Sequence, residues 1–202
     1  MLLVSVEGLP GACRDAVTKA VQARLGAAAL PAGCRRSSNP LVDSASFLLH
    51  QAKALRHVTA PVVVSHASWL DRAPPTAAEG TGGGGGGGEG WARALHAELA
   101  GVLRRRLGLP ATGVHHMVYL RSGAHEAFES VIESGAEGRD ISLHTLHVMQ
   151  SRLDACAAGA RPADSLFPVV LHTVPCPAFA SDSSGAVDRA ADAVLAGLPP
   201  AA

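Results

Sequence analysis

The sequence is poor in the features that would assign it to a specialised class of protein. Aromatic residues make up 3% of the 202 residues, and 17 basic side chains are balanced by 17 acidic ones. This balance argues against a broad nucleic-acid footprint and against a polybasic membrane patch, although it leaves room for a local anion site. Because small apolar side chains bury little area each, the shortage of aromatic residues also predicts modest stability.

Cysteine is scarce as well, and no two of the four cysteines have Cys-x-x-Cys spacing. The chain is too long for a small disulfide scaffold, so we expect reduced thiols in an intracellular setting. No apolar run is long enough to span a bilayer, and the apolar start MLLVSV is too short for a signal peptide. The sequence therefore predicts a soluble, cytoplasmic protein that binds neither nucleic acid nor membrane.

Several catalytic motifs are missing. The sequence has no Gly-x-Ser-x-Gly elbow, no His-Glu-x-x-His pair and no cysteine-rich metal motif. His144 and His147 share a helix face at a spacing that metal ligands use, but no third ligand has suitable spacing. We interpret these two histidines as a solvated face and the His115–His116 pair as the entry to a strand, and we expect no metal site.

What the sequence does contain is an alternation of apolar stretches and helical patterns. Four stretches predict buried strands, with a weaker fifth at Ala27–Leu30; the four are Leu2–Val6, Pro61–Ser65, His116–Leu120 and Pro168–Val174. Helical patterns lie between them, at Cys13–Leu25, Ser44–Val58, Trp91–Leu107, His125–Glu133, Ser142–Ala158 and Ala186–Leu198. The order predicts one α/β domain over residues 1–202, with a doubly wound parallel sheet covered by helices on both faces. We expect Leu2–Val6 to be its central strand, flanked by Pro61–Ser65 and His116–Leu120.

One internal segment, residues 73–90, differs from the rest because Gly82–Gly88 is an uninterrupted run of glycines. A run without side chains cannot offset the entropy of ordering its backbone, so we predict a flexible surface loop within the domain. The alternative is a linker between two domains, but too few strands lie on either side for separate cores. Residues 180–202 predict one short amphipathic helix followed by a fraying tail.

The stretch from Leu2 to Val21 has the outline of a strand, a glycine turn and a helix, which is where a phosphate-binding loop lies in nucleotide-binding proteins. The candidate phosphate-contacting positions are Gly8, Gly11, Ala12, Cys13, Arg14 and Asp15. Backbone N–H groups at a helix N-terminus can hold an anion without a lysine, but the Asp15 carboxylate repels phosphate. This stretch alone leaves open both a phosphate site and an ordinary turn between a strand and a helix.

A second candidate site follows the strand Pro61–Ser65. Residues just past the carboxyl end of a strand line the crevice of an open α/β sheet, which places His66 and Asp71 where they could contact a ligand. Both are candidate catalytic residues, with His66 as a base. The alternative is a capped loop, in which Ser68 or Asp71 satisfies backbone donors.

Three stretches, taken in order, resemble the deoxynucleoside kinase family. VSVEGLPGACRDAV is similar to the EGNIGAGKST start of that family, Ser46–Arg72 to the helix and strand that lead into its Glu/Asp-Arg-Ser motif, and Met117–Ala155 to its lid region. The resemblance implies a P-loop kinase-like three-layer fold. It also implies phosphoryl transfer from ATP, with Mg²⁺, to the 5′-hydroxyl of a deoxynucleoside, and it leaves a homodimer open.

The chain departs from this family at the positions that carry the chemistry. Arg14 and Asp15 replace the loop lysine and the hydroxyl that binds Mg²⁺. Ser65-His66-Ala67 stands where the family has Glu-Arg-Ser, and Leu30-Pro31 stands where it has Glu-Pro. The lid arginines of the family are replaced here by Glu129, Glu133 and Gly135. Because such groups act as a unit, we expect weak or absent catalysis and doubtful ATP binding.

The positions that the family uses for its substrate are better matched. By the resemblance, Arg56 and Asp71 correspond to base-contacting residues, and Gln51 to the glutamine that reads the base. Glu137 lies beside the lid glutamates that meet the sugar hydroxyl. Two functions stay open: a deoxynucleoside kinase-like protein with weak or lost activity, and a non-catalytic nucleoside-binding or regulatory module of the same fold. An unrelated α/β protein is the third interpretation.

Overall fold

The computed structural model describes most of the chain, namely residues 1–10, 14–31, 39–67, 88–133, 141–158, 165–176 and 183–199. In chain order the elements are β1 (Leu2–Gly8), α1 (Arg14–Leu25), β2 (Ala28–Leu30), α2 (Pro40–Leu55), β3 (Val62–Ser65), α3 (Gly88–Leu107), β4 (Val114–Arg121), α4 (Ala124–Glu133), α5 (Leu143–Ala157), β5 (Val169–Pro175) and α6 (Ser183–Gly197). Each strand and helix that the sequence predicts is therefore present. None of the helices in these ranges is long and apolar enough to cross a membrane.

The strands of the described part form one parallel sheet in the order β2-β3-β1-β4-β5. β1 pairs with β3 from Leu2↔Val62 onward and with β4 from Leu2↔Val114 onward. The prediction of a central first strand with these two neighbours is confirmed. Parallel neighbours need a long crossover connection, and a helix supplies it between successive strands.

Helices cover both faces of the sheet, as the sequence predicts. Successive side chains of a strand point to opposite faces, so β1 contributes Leu3 to one core and Val4 to the other. The Leu3 core is packed by α2, α3, α4 and α5, and the Val4 core by α1 and α6. A strand that is buried on both faces must be apolar at nearly every position, which explains the continuous run LLVSV.

Local sequence signals set several helix ends. The Ser142 side chain caps α5, because its Oγ accepts a hydrogen bond from the Thr145 N–H at 3.1 Å. Gly26 follows α1 with φ 57°, in the left-handed region that favours glycine at a helix C-terminus. α2 begins at Pro40, earlier than the predicted Ser44, because Asn39 and Pro40 supply a cap and a first helical residue without an N–H donor.

The glycine-rich segment is only partly within the described residues. α3 begins at Gly88, so Gly88–Gly90 are helical instead of forming the end of the predicted loop. Glycine is tolerated at this position because it is among the residues favoured at a helix N-terminus. Residues 73–87, to which the prediction of a flexible loop mainly applies, lie outside the described residues.

A large-to-small substitution tests the placement of β1. Leu3 is 0% exposed, so Leu3→Ala should lower the free energy of unfolding by about 2–5 kcal/mol through lost burial and a cavity. Ile132→Ala is the control, because Ile132 is 63% exposed and its truncation should change stability by about 0.5 kcal/mol or less. Urea denaturation of both variants measures the difference, and equal effects would contradict a central, buried β1.

Candidate functional site

The carboxyl ends of β1 and β3 lie at the same end of the sheet, where β1 continues to Gly8, three residues beyond the pairing of Ser5 with Ser65. Gly8 ends β1 and Ser65 ends β3, and the helices that follow these two strands, α1 and α3, pack on opposite faces. Neighbouring strands whose helices diverge in this way leave room for a ligand between them. We call this region the carboxyl edge.

Five of the residues that the sequence predicts for the site lie outside the described residues, namely Gly11, Ala12, Cys13, Asp71 and Glu137.

At the start of α1 two of the candidate phosphate-contacting residues, Arg14 and Asp15, contact each other. Arg14 Nε donates to Asp15 Oδ1 at 3.2 Å, and the Asp15 side chain is 74% exposed. The carboxylate in the first turn suits the positive end of the helix dipole. It also holds negative charge at the candidate phosphate position, and it engages the neighbouring Arg14 cation.

His66, the candidate base, is directed towards α1. Its Nε2 lies 2.8 Å from Oε1 of Gln22, and with this acceptor the ring nitrogen is the donor. The His66 backbone N–H donates to the carbonyl of Leu30 at 3.2 Å, which extends the pairing of β2 with β3 by one residue. The hydrogen bond to Gln22 fixes the imidazole on the α1 side of the sheet.

Gln51 lies on the other side, buried beneath α2 at the carboxyl edge. Its side chain is 0% exposed, and its Nε2 donates to the carbonyl of Pro31, directly after β2, at 3.4 Å. Among the described residues its Oε1 has no hydrogen-bond partner, and the same holds for Oγ of the buried Ser44, two turns earlier on α2. An unpaired buried acceptor costs about 1–3 kcal/mol, so a ligand group that donated a hydrogen bond to Gln51 Oε1 would offset this cost.

Arg56, the other described substrate candidate, lies elsewhere. It is exposed and follows α2, in the connection that leads to the amino end of β3. Arg56 is exposed whereas Gln51 is 0% exposed, so the two side chains do not share one buried environment. The sequence spacing of Gln51 and Arg56 does not show which of the two side chains is buried against the sheet, and the structure shows that it is Gln51.

Two buried residues at the carboxyl edge were missed by the sequence reasoning. Glu7 and Tyr119 are both 0% exposed and are paired across β1 and β4, so their side chains share one face of the sheet. Burial first, and then the nearby Asp154 carboxylate, raise the pKa of Tyr119 to about 12, with Arg121 acting in the opposite direction. The phenol is therefore neutral. The signal available in the sequence was a carboxylate within the otherwise apolar strand LLVSVEG.

His115 forms a third buried polar group, nearer the amino end of the sheet. Its Nε2 lies 2.9 Å from Oγ of Ser5 and its Nδ1 lies 2.8 Å from Oγ of Ser165. Burial first, and then neighbouring His116, lower its pKa to about 3, so the ring is neutral and one nitrogen donates while the other accepts. The histidine thus ties β1 and β4 to the turn before β5. It is 0% exposed and has a structural role.

The remaining candidate histidines behave as expected. β4 begins at Val114, so His115 and His116 do lie at the entry to a strand, and His144 and His147 are exposed on α5. Within the described ranges there is no cluster of three or more metal-ligating side chains.

A scan against protein-family models and a search of curated proteins find no match to this chain.

The buried neutral His115 makes stability depend on pH. Its native pKa of about 3 is below the value of about 6.5 in an unfolded chain, so between these values only the unfolded state binds the proton. Stability should therefore fall by about 1.4 kcal/mol per pH unit as pH decreases below about 6.5. His116 and His172, whose pKa values burial also lowers, add in the same direction.

Urea denaturation between about pH 7 and pH 5.5, with a chelator present, measures this slope above the range in which most carboxylates titrate. His115→Gln should flatten the slope relative to the wild-type chain, whereas the exposed control His147→Gln should leave it unchanged. A His115→Gln slope equal to that of the wild type would contradict the buried, neutral imidazole.

Proposed function

We propose that this chain is a deoxynucleoside-kinase-like protein of P-loop kinase-like fold, which binds a nucleoside at the carboxyl edge and transfers phosphate weakly or not at all. The observation that carries the proposal is Gln51, a fully buried amide whose Oε1 lacks a partner among the described residues. The resemblance of three sequence stretches to that family gives this position its role in reading a base.

The architecture supports the fold part of this proposal. β1 is the central parallel strand, it ends at Gly8, and α1 begins six residues later, at Arg14. The first turn of a helix presents backbone N–H groups and the positive end of the helix dipole to an anion. A strand followed closely by a helix is the context in which a phosphate loop functions, which supports the proposal.

The surroundings of Gln51 support recognition of a flat, polar heterocycle. An amide has both a donor and an acceptor group, and Oε1 can accept an N–H from the edge of a base. Phe47 lies one turn earlier on the same side of α2 and is also 0% exposed, so an apolar surface adjoins the amide. Apolar walls with a few convergent polar groups are typical of small-molecule sites.

The described residues do not fit the Mg²⁺–ATP that the resemblance implies. Arg14 is paired with Asp15, and a carboxylate stands where the family has the hydroxyl that binds Mg²⁺. The base is missing too, because Ser65 Oγ accepts from the Ala67 N–H at 3.2 Å and His66 is held by Gln22. Phosphoryl transfer depends on positioned cations and an oriented nucleophile, so little rate enhancement is expected.

The same features favour a second function, a non-catalytic nucleoside-binding or regulatory module of this fold. Where that module keeps a nucleoside pocket, both functions need the Gln51 site and differ only in residual phosphoryl transfer; a module that keeps only a dimer surface does not need it. Binding is therefore the first property to test, and transfer the second.

A thermal-shift experiment with each of the common deoxynucleosides tests binding. A ligand that binds only the native state, at one hundred times its Kd, stabilises the protein by about 2.7 kcal/mol, so at least one deoxynucleoside should raise the Tm. Gln51→Leu should abolish that shift. It should not lower the Tm of the free protein much, because an apolar side chain of similar size replaces an unpaired buried acceptor.

Arg56→Leu is the matched control, since it removes a candidate residue on the same helix that lies away from the carboxyl edge. It should keep the wild-type shift. The absence of any shift in the wild-type chain, or an unchanged shift in Gln51→Leu, would contradict the proposed site.

A further inference from the structure

A pair of histidines lies on the opposite face of the sheet from Gln51. In the pairing of β4 with β5, His116 is opposite Val170 and His172 is opposite Val118, so the two histidines are diagonal neighbours on one face. Val118 belongs to the core that α1 and α6 cover, which places the pair beneath these helices. His116 is 8% exposed and His172 is partly exposed, so solvent can reach the pair from one side.

The two imidazoles meet edge to edge. Nδ1 of His116 lies 2.9 Å from Nε2 of His172, the ring planes differ by 15° and the ring centroids are 5.1 Å apart. The nitrogen–nitrogen distance is shorter than the centroid distance by about two ring radii, so the rings share a plane and one N–H donates to the other ring's lone pair. Two nitrogen atoms of good ligand type are thus held at close range by two paired strands.

The end of α6 adds a second feature that favours a cation here. Gly197 is the last residue of α6, and a Cβ placed on it would lie 3.7 Å from Nδ1 of His172. The C-terminus of a helix carries partial negative charge and carbonyl groups without helical partners. Burial lowers the pKa of both rings, so both are in the neutral form that coordinates metal ions.

We propose that His116 and His172 form a binding site for a late first-row divalent cation of the Zn²⁺, Ni²⁺ and Cu²⁺ class. Imidazole nitrogen suits these ions and is a poor ligand for Mg²⁺ or Ca²⁺. Two nitrogens at 2.0–2.1 Å from a tetrahedral ion are about 3.3 Å apart, so the pair needs to open by about 0.4 Å and each ring needs to turn by about 35° for its lone pair to point at the ion.

The chemistry of binding is a change of tautomer. The ring that donates its N–H transfers that proton through solvent to its own second nitrogen, so both facing nitrogens then offer lone pairs and no net proton is released. Since the described ranges hold no cluster of three metal-ligating side chains, water completes the coordination. The ion then ties the edge strand β5 to β4 in place of the N–H···N hydrogen bond.

Calorimetric titration of the tag-free, chelator-treated chain with ZnCl₂ or NiCl₂ tests the site. We expect one ion per chain with micromolar affinity, and no uptake of Mg²⁺. His116→Gln and His172→Gln should each weaken binding by about tenfold or more, because each removes half of the protein ligands. His147→Gln is the control on the exposed pair of α5 and should retain wild-type affinity.

A second measurement tests the site without His116→Gln or His172→Gln, in case these variants fail to fold. In the double variant His144→Gln, His147→Gln, bound Cu²⁺ should give an electron paramagnetic resonance spectrum with coupling to two imidazole nitrogens. The proposal is overturned if the wild-type chain takes up none of these ions, if His147→Gln loses affinity as much as the two site variants do, or if the spectrum shows fewer than two nitrogens.

Discussion

Burial of β1 on both faces is the constraint on which the rest of the structure depends. Leu3 and Val4 are each 0% exposed and point into different cores, so this strand needs a neighbour on each edge and helices above and below. That requirement gives the parallel order in which β3 and β1 are neighbours with their helices on opposite faces. The carboxyl edge, and with it the candidate site, is a consequence of how the central strand is covered.

Polar groups divide the Leu3 face of the sheet into two regions. Towards the amino end, His115 is held between Ser5 and Ser165, and this network is satisfied and fixes three segments of the chain. At the carboxyl edge, Gln51 Oε1 is buried without a hydrogen-bond partner among the described residues. Because satisfied networks rigidify a core whereas unpaired buried groups are costly, the second region has the character of a binding site.

The strands could be predicted because a short, continuous apolar run in a chain of this size is typical of a strand that is buried on both faces. It failed at the start of α2, where Asn39 and Pro40 give a signal that apolar spacing ignores. The resemblance pointed to Gln51, and the structure buries that residue at the carboxyl edge while placing Arg56 elsewhere. The contacts of Ser5 with His115, and of His116 with His172, join residues 110 and 56 positions apart, which no local pattern encodes.

The most direct measurement is transfer of labelled γ-phosphate from ATP–Mg²⁺ to each common deoxynucleoside by the purified chain, under conditions in which the nucleoside is bound. With Arg14 engaged by Asp15 and with no carboxylate at Ser65, we expect labelled product at or near the level of the enzyme-free control. Turnover at about 1–100 s⁻¹, which is typical of kinases, would contradict this expectation, because a cation and a base other than those lost would then have to lie at the carboxyl edge.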